Sequence, residues 1–299
     1  MKRLFINLPN LLFAALVISV FSPSKNPKVG PILPFLIVIF FIEALFIINM
    51  IRHENSKSVF DITSILFGVL LIWDILSSKT ALANPVLFPP PENTFFVFVS
   101  HRKMIWEGFL NSMFLLVIGF SLALISAVVL GVLIGWITRL RNTFFPIVKV
   151  LSPIPALVYT PYIIGIMPSF RSASILVIFL GVFWPNLIAM ISFTGSVDRK
   201  IIDSAKSLNV KQTTMLYKII LPYAVPTLID GLSLGVTFSF MTLTVAEMIG
   251  SSSGMGYFVK RFADYGNYTN VLAGIIFIGV VVTILNLFIT ILKRKIVKW

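Results

Sequence analysis

Apolar runs long enough to cross a membrane constrain this chain more than any other feature of its sequence. Several exceed the roughly 18 residues that a membrane-spanning helix needs, and no series of alternating strands of the kind found in membrane barrels is present. Hydropathy predicts about eight spans, at residues 4–21, 32–51, 60–77, 108–137, 144–166, 172–193, 223–246 and 271–292. The expected fold class is therefore all-α, a polytopic helical membrane protein embedded in the lipid bilayer.

The distribution of charge supports this class and indicates an orientation. Only 12% of the 299 residues are charged, against about 25% in soluble domains. The net charge of +13 does not indicate nucleic-acid binding, because Lys and Arg lie beside the apolar spans, as in cytoplasmic loops. Their excess in alternate loops places both termini in the cytoplasm. The apolar run after Met1-Lys2-Arg3 is interpreted as a retained first span, since no small-x-small cleavage pattern follows it.

The sequence lacks the residue patterns that catalysis or metal binding would need. It contains no cysteine and only two histidines, His53 and His101, which fall in separate connecting segments. No G-x-x-x-x-G-K-[ST] phosphate-binding loop occurs, so ATP would have to be bound by a partner. We expect no catalytic residue, no metal site and no cofactor in this chain.

A polar segment at residues 196–222 interrupts the apolar second half of the chain. Because lipid cannot satisfy polar backbone and side chains, this segment must lie at the water interface. Ser196 is the expected N-cap of a short helix, and Asn209 falls where that helix must end in a left-handed backbone, which Asn tolerates next best after Gly. The apolar residues of the helix recur on one side, at Val197, Ile201, Ile202, Ala205 and Leu208. We expect an exposed docking element for a soluble partner; a plain connector is the alternative.

The spacing within this segment resembles the E-A-A-x3-G-x9-I-x-L-P signature of the membrane subunits of bacterial ATP-binding-cassette (ABC) importers. Asp stands here for Glu, Ser for the first Ala, and Asn for Gly. The matching residues are Asp203, Ser204, Ala205, Asn209, Ile219, Leu221 and Pro222. Together with Leu208, these residues form the ATPase-docking site, or coupling helix and its exit, that the resemblance implies.

Further segments resemble the nitrate, sulfonate and taurine permeases within that family. They are residues 87–91, the paired prolines Pro155 and Pro161, Phe183 with Pro185, and residues 246–250 and 253–257. The likeness covers roughly residues 62–299. It implies a permease domain at 59–299 with its coupling loop at 196–222, and an additional pair of N-terminal spanning helices at 1–58.

The resemblance also implies an assembly and a location. Two permease subunits, identical ones if the complex is a homodimer, would enclose the solute route. A pair of ATPase subunits would bind ATP and Mg²⁺, and an extracytoplasmic solute-binding protein would deliver the solute. The complex would lie in the bacterial cell (inner) membrane, and its solute would be a small organic or inorganic anion or a vitamin precursor.

Prolines and hydroxyl groups mark a candidate solute pathway. Pro153, Pro155 and Pro161 interrupt the span predicted at 144–166, and broken helices at membrane depth are tolerated where they line a cavity. A kinked peripheral helix would explain the same prolines. In the span at 223–246, hydroxyl groups are available either to bond a solute or to join helices. They occur at Ser233, Thr237, Ser239, Thr242 and Thr244. Ser233, Thr237 and Thr244 share one face and are the candidates.

Three carboxyl groups lie within or at the ends of predicted spans. Glu247 falls at the outer end of its span, and we expect it at a helix end or gate and count it among the pathway candidates. Asp74 lies near a span end, from which it can extend to water, and Glu43 lies within a span, where it can be protonated or paired. For both residues we expect a structural or interfacial role.

The residues alone leave two other function classes open. An ion-coupled secondary transporter would need inverted repeats and buried ionisable residues near the midplane, whereas charges avoid the centres of the last five spans. A membrane-embedded enzyme would need clustered His, Asp or Glu, which the sequence does not show. An uncharged pathway does not choose among the possible solutes.

Overall fold

The computed structural model describes residues 7–27, 29–52, 57–80 and 82–296, without the side chains of residues 199, 225–230, 233 and 296. Within these residues the regular structure is entirely helical, which confirms the all-α prediction. The helices are α1 (Leu8–Phe21), α2 (Leu33–Arg52), α3 (Lys57–Asp74), α4 (Pro91–Ser100), α5 (Arg102–Trp136), α6 (Thr138–Leu151), α7 (Ala156–Ile166), α8 (Phe170–Gly195), α9 (Arg199–Ser207), α10 (Gln212–Met215), α11 (Leu221–Gly250), α12 (Met255–Asp264) and α13 (Tyr268–Ile296). Two short π-helical turns, Ile75–Lys79 and Leu216–Ile220, follow α3 and α10.

Five helices in the described part of the chain are long and apolar enough to cross a membrane. They are α2, α3 with its π-helical turn, α5, α8 and α13. Two bent pairs would raise the number to seven: α6 with α7, and Leu234–Gly250 of α11 with α12, which are bent by 91° and 45°. The described part of α1 has 14 residues, about 21 Å at 1.5 Å per residue, less than the roughly 30 Å hydrocarbon core. The count of eight spans and the cytoplasmic termini stay predictions; Lys2, Arg3 and residues 4–6 of the first predicted span lie outside the described residues.

The span predicted at 144–166 is not one continuous helix. Its first half belongs to α6, which begins earlier, at Thr138, and its second half is α7. The chain breaks at residues 152–155 because Pro153 and Pro155 offer no backbone N–H and disfavour helical geometry in the residue before them. Pro146 and Pro161 lie inside α6 and α7. The prolines therefore interrupt the span as predicted, and they turn the chain sharply.

The chain divides into two compact units. The first comprises Met1–Trp106 and Phe258–Ile276. Its core is apolar, with Leu16 of α1, Phe35 and Ile39 of α2 and Phe67 of α3 fully buried. This unit extends beyond residue 58, so the boundary predicted between residues 58 and 59 stays a prediction.

Carboxyl groups are also buried in the first unit. Asp74, at the end of α3, has no exposed surface and accepts a hydrogen bond of 2.5 Å from the Ser19 hydroxyl. Asp74 therefore does not extend to water, and of the structural and interfacial roles expected for it, its burial supports the structural one. Glu43 in α2 is also buried, with 8% of its surface exposed.

The second unit comprises Glu107–Tyr257 and Phe277–Trp299. Its core forms where α5, α8 and α11 pack together, around Leu115, Ile178, Ile191 and Leu243. Helices α5 and α8 approach closely at Gly131, where an added Cβ atom would lie 2.4 Å from the Cβ atom of Met190. This close packing fixes two of the three helices that carry the candidate sites.

Candidate functional site

The helix predicted within the polar segment is present as α9, and its first turn differs from the prediction. Asp198 is its N-cap, and the Asp198 carboxylate accepts a hydrogen bond of 2.9 Å from the backbone N–H of Lys200. Ser196 instead ends α8, where its hydroxyl donates to the carbonyl of Phe193 at 2.9 Å. The assignment of Ser196 as N-cap is wrong because Asp198 has the extended backbone that a cap requires and its carboxylate reaches the helix.

The end of α9 is a tight left-handed turn. Asn209 has φ 54°, the only positive φ of a non-glycine residue among the described residues. The N–H of Asn209 donates to the carbonyl of Lys206 at 2.9 Å, and the N–H of Val210 donates to the carbonyl of Ala205 at 3.1 Å. These two bonds form a Schellman motif, which satisfies carbonyls that the last helical turn leaves open. The predicted left-handed exit at Asn209 is confirmed.

The predicted docking residues of this segment differ in their exposure. Ala205 is buried, with 5% of its surface exposed, and so packs against the rest of the chain instead of facing a partner. Ile219 and Leu221 are half-buried. The residues that face outward are Asp203, Ser204, Leu208, Asn209 and Pro222. Leu208 is 78% exposed, the highest fraction among the large apolar side chains of the described residues.

A small cleft of about 250 Å³ lies beside this exposed surface. The end of the polar segment and the start of α9 form its walls, and Tyr217 next to it is 70% exposed. The lining residues are Val197, Ile201, Lys218, Ile219, Ile220, Pro222 and Tyr223. Sequence reasoning did not identify Tyr217 or Tyr223, although two tyrosines in a basic interfacial segment are a recognisable signal for a contact surface.

A larger cavity, of about 680 Å³, lies where the break between α6 and α7 meets α8 and α11. Pro153 and Pro155 line it, as predicted. Thr242, one of the hydroxyls noted in the span at 223–246 but not chosen as a candidate, also lines it. Sequence reasoning missed Asn186 and Phe238, which line it too, because nothing in the residue pattern shows which face of these apolar helices is open. None of its described lining residues is charged.

The other pathway candidates lie apart from the lining of this cavity. Pro161 is inside α7, and the hydroxyl of Thr244 donates to the carbonyl of Phe240 at 2.8 Å. Thr237 is hydrogen-bonded to Asn286 of α13, with 3.0 Å between the Asn286 amide nitrogen and the Thr237 oxygen. The Ser233 side chain lies outside the described residues.

Glu247 is buried and serves as an acceptor for a turn of the chain. Only 1% of its surface is exposed. One carboxyl oxygen accepts from the Ser112 hydroxyl at 2.5 Å, and the other accepts from the N–H of Gly256 at 2.8 Å. The Ser112 oxygen in turn accepts from the N–H of Met255 at 3.0 Å. We call Ser112, Glu247 and the two backbone N–H groups the carboxylate clamp.

Glycines allow the turn at residues 251–256 to approach the clamp. Gly254 has φ 134°, and a Cβ atom there would lie 2.3 Å from the carboxyl carbon of Glu247. A Cβ atom on Gly256 would lie 2.2 Å from the carbonyl oxygen of Thr244. The segments 246–250 and 253–257, noted separately in the sequence, therefore meet in one structure.

Among the described residues, no group of three or more His, Cys, Asp or Glu side chains is arranged to hold a metal ion. The α9 surface offers exposed apolar and charged groups, and the cavity offers a large uncharged space between broken and continuous helices.

Comparison with known proteins identifies the family. The model of the binding-protein-dependent transport system inner membrane component family matches residues 119–299. A Bacillus subtilis protein named as an aliphatic sulfonates transport permease is 30% identical over 236 residues, which cover 77% of this chain and 84% of the relative. The taurine transport system permease of Escherichia coli is 25% identical, covering 77% and 86% of the two chains, and the nitrate import permease of Synechocystis sp. is 27% identical, covering 77% and 86%.

A solved structure has the same fold. It is an inward-facing conformation of the MetNI methionine ABC transporter, with a TM-score of 0.57 and 15% sequence identity. The match covers 66% of this chain and 98% of that one. The family match, the relatives and the apolar helices together establish that this chain belongs to the binding-protein-dependent transport system inner membrane components and is a multi-pass, non-enzymatic permease subunit of an ABC importer.

Proposed function

We propose that residues 196–222 are the surface through which this permease binds separate ATPase subunits. The observation that carries the proposal is the exposure of α9 between a carboxylate cap and a Schellman exit, with Leu208 78% exposed. A short helix fixed at both ends transmits a push or a rotation to the spans on either side of it. Because residues 196–222 lie at the water interface, where lipid does not cover them, a partner that covers Leu208 would remove its apolar surface from water.

The charges around α9 indicate the character of the partner surface. Lys200, Lys206, Lys211 and Lys218 are exposed, against the two exposed carboxylates Asp198 and Asp203. A net basic rim around an apolar contact favours a partner surface that is acidic around an apolar pocket, because complementary charge accelerates encounter and fixes register. The cleft of about 250 Å³ is in turn sized to receive one side chain of the partner.

The proposed cycle assigns ATP and Mg²⁺ to the partner. Closure of an ATPase pair on ATP would move α9, and α8 and α11 would follow because the polar segment connects them to α9. Both helices line the cavity of about 680 Å³, so their movement would change it. Two copies of this chain would enclose the route, with an extracytoplasmic binding protein delivering the solute. ATP biases such a switch only if the ATPase pair contacts the two states of the permease differently.

We also propose a solute of the class named for the relatives, a small anion such as a sulfonate, taurine or nitrate, or a vitamin precursor. The uncharged lining of the cavity suits a solute that passes without being held tightly. Under this proposal, selection among solutes takes place on the binding protein. The ion-coupled secondary transporter left open by the sequence is set aside by the family assignment.

The docking proposal is tested with Leu208→Lys in the complete complex. We expect the variant to lose most of its ATPase subunits on purification and to lose ATP-dependent transport, because a charged ammonium replaces the apolar contact. Tyr265→Lys is the matched control, since Tyr265 is 77% exposed in the connection between α12 and α13. Retention of the ATPase subunits by Leu208→Lys at the level of the Tyr265→Lys control would refute the proposal.

A further inference from the structure

Two fully buried carboxyl groups in the first compact unit have no role in docking or passage. Asp74 ends α3 and Glu92 lies in the first turn of α4; neither has any exposed surface. Each has one satisfied oxygen: Ser19 donates to Asp74 at 2.5 Å, and Ser78 donates to Glu92 at 2.7 Å. The other oxygens, Oδ1 of Asp74 and Oε1 of Glu92, are buried without a hydrogen-bond partner.

The nearest basic group is engaged elsewhere. The ammonium of Lys79 donates to the carbonyls of Val20 and Ser22, at 3.2 and 3.0 Å, and to the hydroxyl of Ser24 at 3.1 Å. Lys79 therefore satisfies the carbonyls at the end of α1, and among the described residues neither carboxyl group forms an ion pair. Two ionised carboxylates in this position would be buried charges without compensation, which is strongly unfavourable.

The two carboxyl groups lie where three segments of the unit meet. The π-helical turn Ile75–Lys79 separates them along the chain, and such turns are frequent at functional sites. The Asn26 side chain donates to the carbonyl of Ser77 at 3.2 Å, and Trp73 donates to the carbonyl of Pro89 at 2.9 Å. Three segments therefore form hydrogen bonds close to the two carboxyl groups in the chain: residues 19–26, the π-helical turn and the proline segment 87–91.

The surroundings favour a proton on Glu92. Burial raises the pKa of its carboxyl group above the ordinary value, the hydrogen bonds from Ser78 and from its own backbone lower it, and Asp74 raises it again. Lys79 lowers it by a smaller amount. Helix α2, which packs on α3 and α4, carries Glu43 and, at its last residue, Arg52, and Lys25 in the connection after α1 is exposed.

We propose that Glu92, buried near Asp74, holds one proton taken from solvent, and that this proton keeps residues 19–26 attached to the π-helical turn and the start of α4. Loss of the proton places a negative charge on Glu92 in a buried site whose nearby ammonium is used by α1. The attachment of α1 therefore depends on pH.

The sign of the dependence follows from the raised pKa of Glu92. The folded chain binds this proton more tightly than the unfolded chain, so the stabilisation is present at low pH. It is lost as the pH rises through the pKa that Glu92 has in the folded state.

The experiment uses the full chain purified in detergent, with thermal unfolding followed from about pH 5 to about pH 9. The midpoint of the wild type should fall with rising pH by roughly 3–5 °C because this proton is lost, and limited proteolysis within residues 22–32 should accelerate in parallel. Glu92→Gln mimics the neutral carboxyl group, so its midpoint should lose this fall and remain high at alkaline pH. Asp61→Asn removes an exposed carboxylate from α3 and should keep the wild-type slope.

Two further measurements separate a proton site from a packing defect. Ser78→Ala removes a hydrogen bond that lowers the pKa of Glu92, so the loss of stability should shift to higher pH. Infrared spectra of the wild type should contain a protonated carboxyl band that Glu92→Gln lacks. The proposal is overturned if Glu92→Gln keeps the wild-type pH slope, is destabilised at every pH, or leaves the infrared band unchanged.

Discussion

Replacing Ser112 by Ala removes the centre of the carboxylate clamp. The Ser112 hydroxyl donates to Glu247 at 2.5 Å and accepts from the N–H of Met255 at 3.0 Å, so its loss leaves two buried polar groups without this partner. Each unsatisfied group costs about 1–3 kcal/mol, so the free energy of unfolding should fall by about 2–6 kcal/mol. A cavity the size of one oxygen atom adds little to this value.

The assay is thermal unfolding of the purified permease, with transport measured in the reconstituted complex. At about 2–4 °C per kcal/mol, the midpoint of Ser112→Ala should fall by at least about 4 °C. The transport rate should also fall at temperatures where the variant remains folded, because the clamp fixes the turn at residues 251–256. Ser112→Thr keeps a hydroxyl group and should recover part of both losses.

Ser121→Ala is the matched control, because Ser121 lies on the same helix and is exposed. It should unfold within about 1 °C of the wild type. If Ser112→Ala and Ser121→Ala unfold at the same temperature, the hydrogen bonds of Ser112 with Glu247 and Met255 do not stabilise the fold, and the reasoning is refuted.

Two other substitutions test the exit of α9 and the cavity. Asn209→Ala should destabilise α9 by about 1–2 kcal/mol and reduce ATPase binding, because φ is 54° at this position. Asn209→Gly should preserve the stability of α9 and the binding of the ATPase subunits. Equal ATPase co-purification by the two variants would contradict the role of the left-handed exit. Gly231→Leu should leave the unfolding temperature unchanged but reduce transport, since Gly231 lines the cavity and no atom lies within 4 Å of an added Cβ atom. Gly279→Leu, equally unhindered at the Cβ position, should transport normally, and equal transport by the two leucine variants would exclude the cavity as the route.

Local sequence patterns predicted α9 more accurately than they predicted its surroundings. The helix, its apolar side and the left-handed Asn209 follow from spacing and backbone preference within a dozen residues, so they need no distant contact. The N-cap was misassigned by two residues because Ser196 and Asp198 are both good caps, and the choice depends on where α8 ends.

The pathway candidates were predicted less well, for a different reason. Prolines indicate where a helix can break, and Pro153 and Pro155 stand at the break and line the cavity, whereas Pro146 and Pro161 lie inside helices. Hydroxyl groups in a span do not show which face is open. Thr242 and Thr244 each donate to the carbonyl four residues earlier, and of the two only Thr242 lines the cavity. In helices that are apolar on every side, periodicity carries no information about the direction of the core.

By itself the sequence determined that this protein is an all-helical membrane protein and that a polar segment at residues 196–222 interrupts its apolar helices. These properties depend on composition, run length and backbone preference, which act over a few helical turns. Only the tertiary structure decided that Glu247 accepts from Ser112, 135 residues away, and that Ser19 covers Asp74, 55 residues away. Buried carboxyl groups take whichever donors the packing of distant helices brings within about 3 Å, and that packing is not encoded in any short segment.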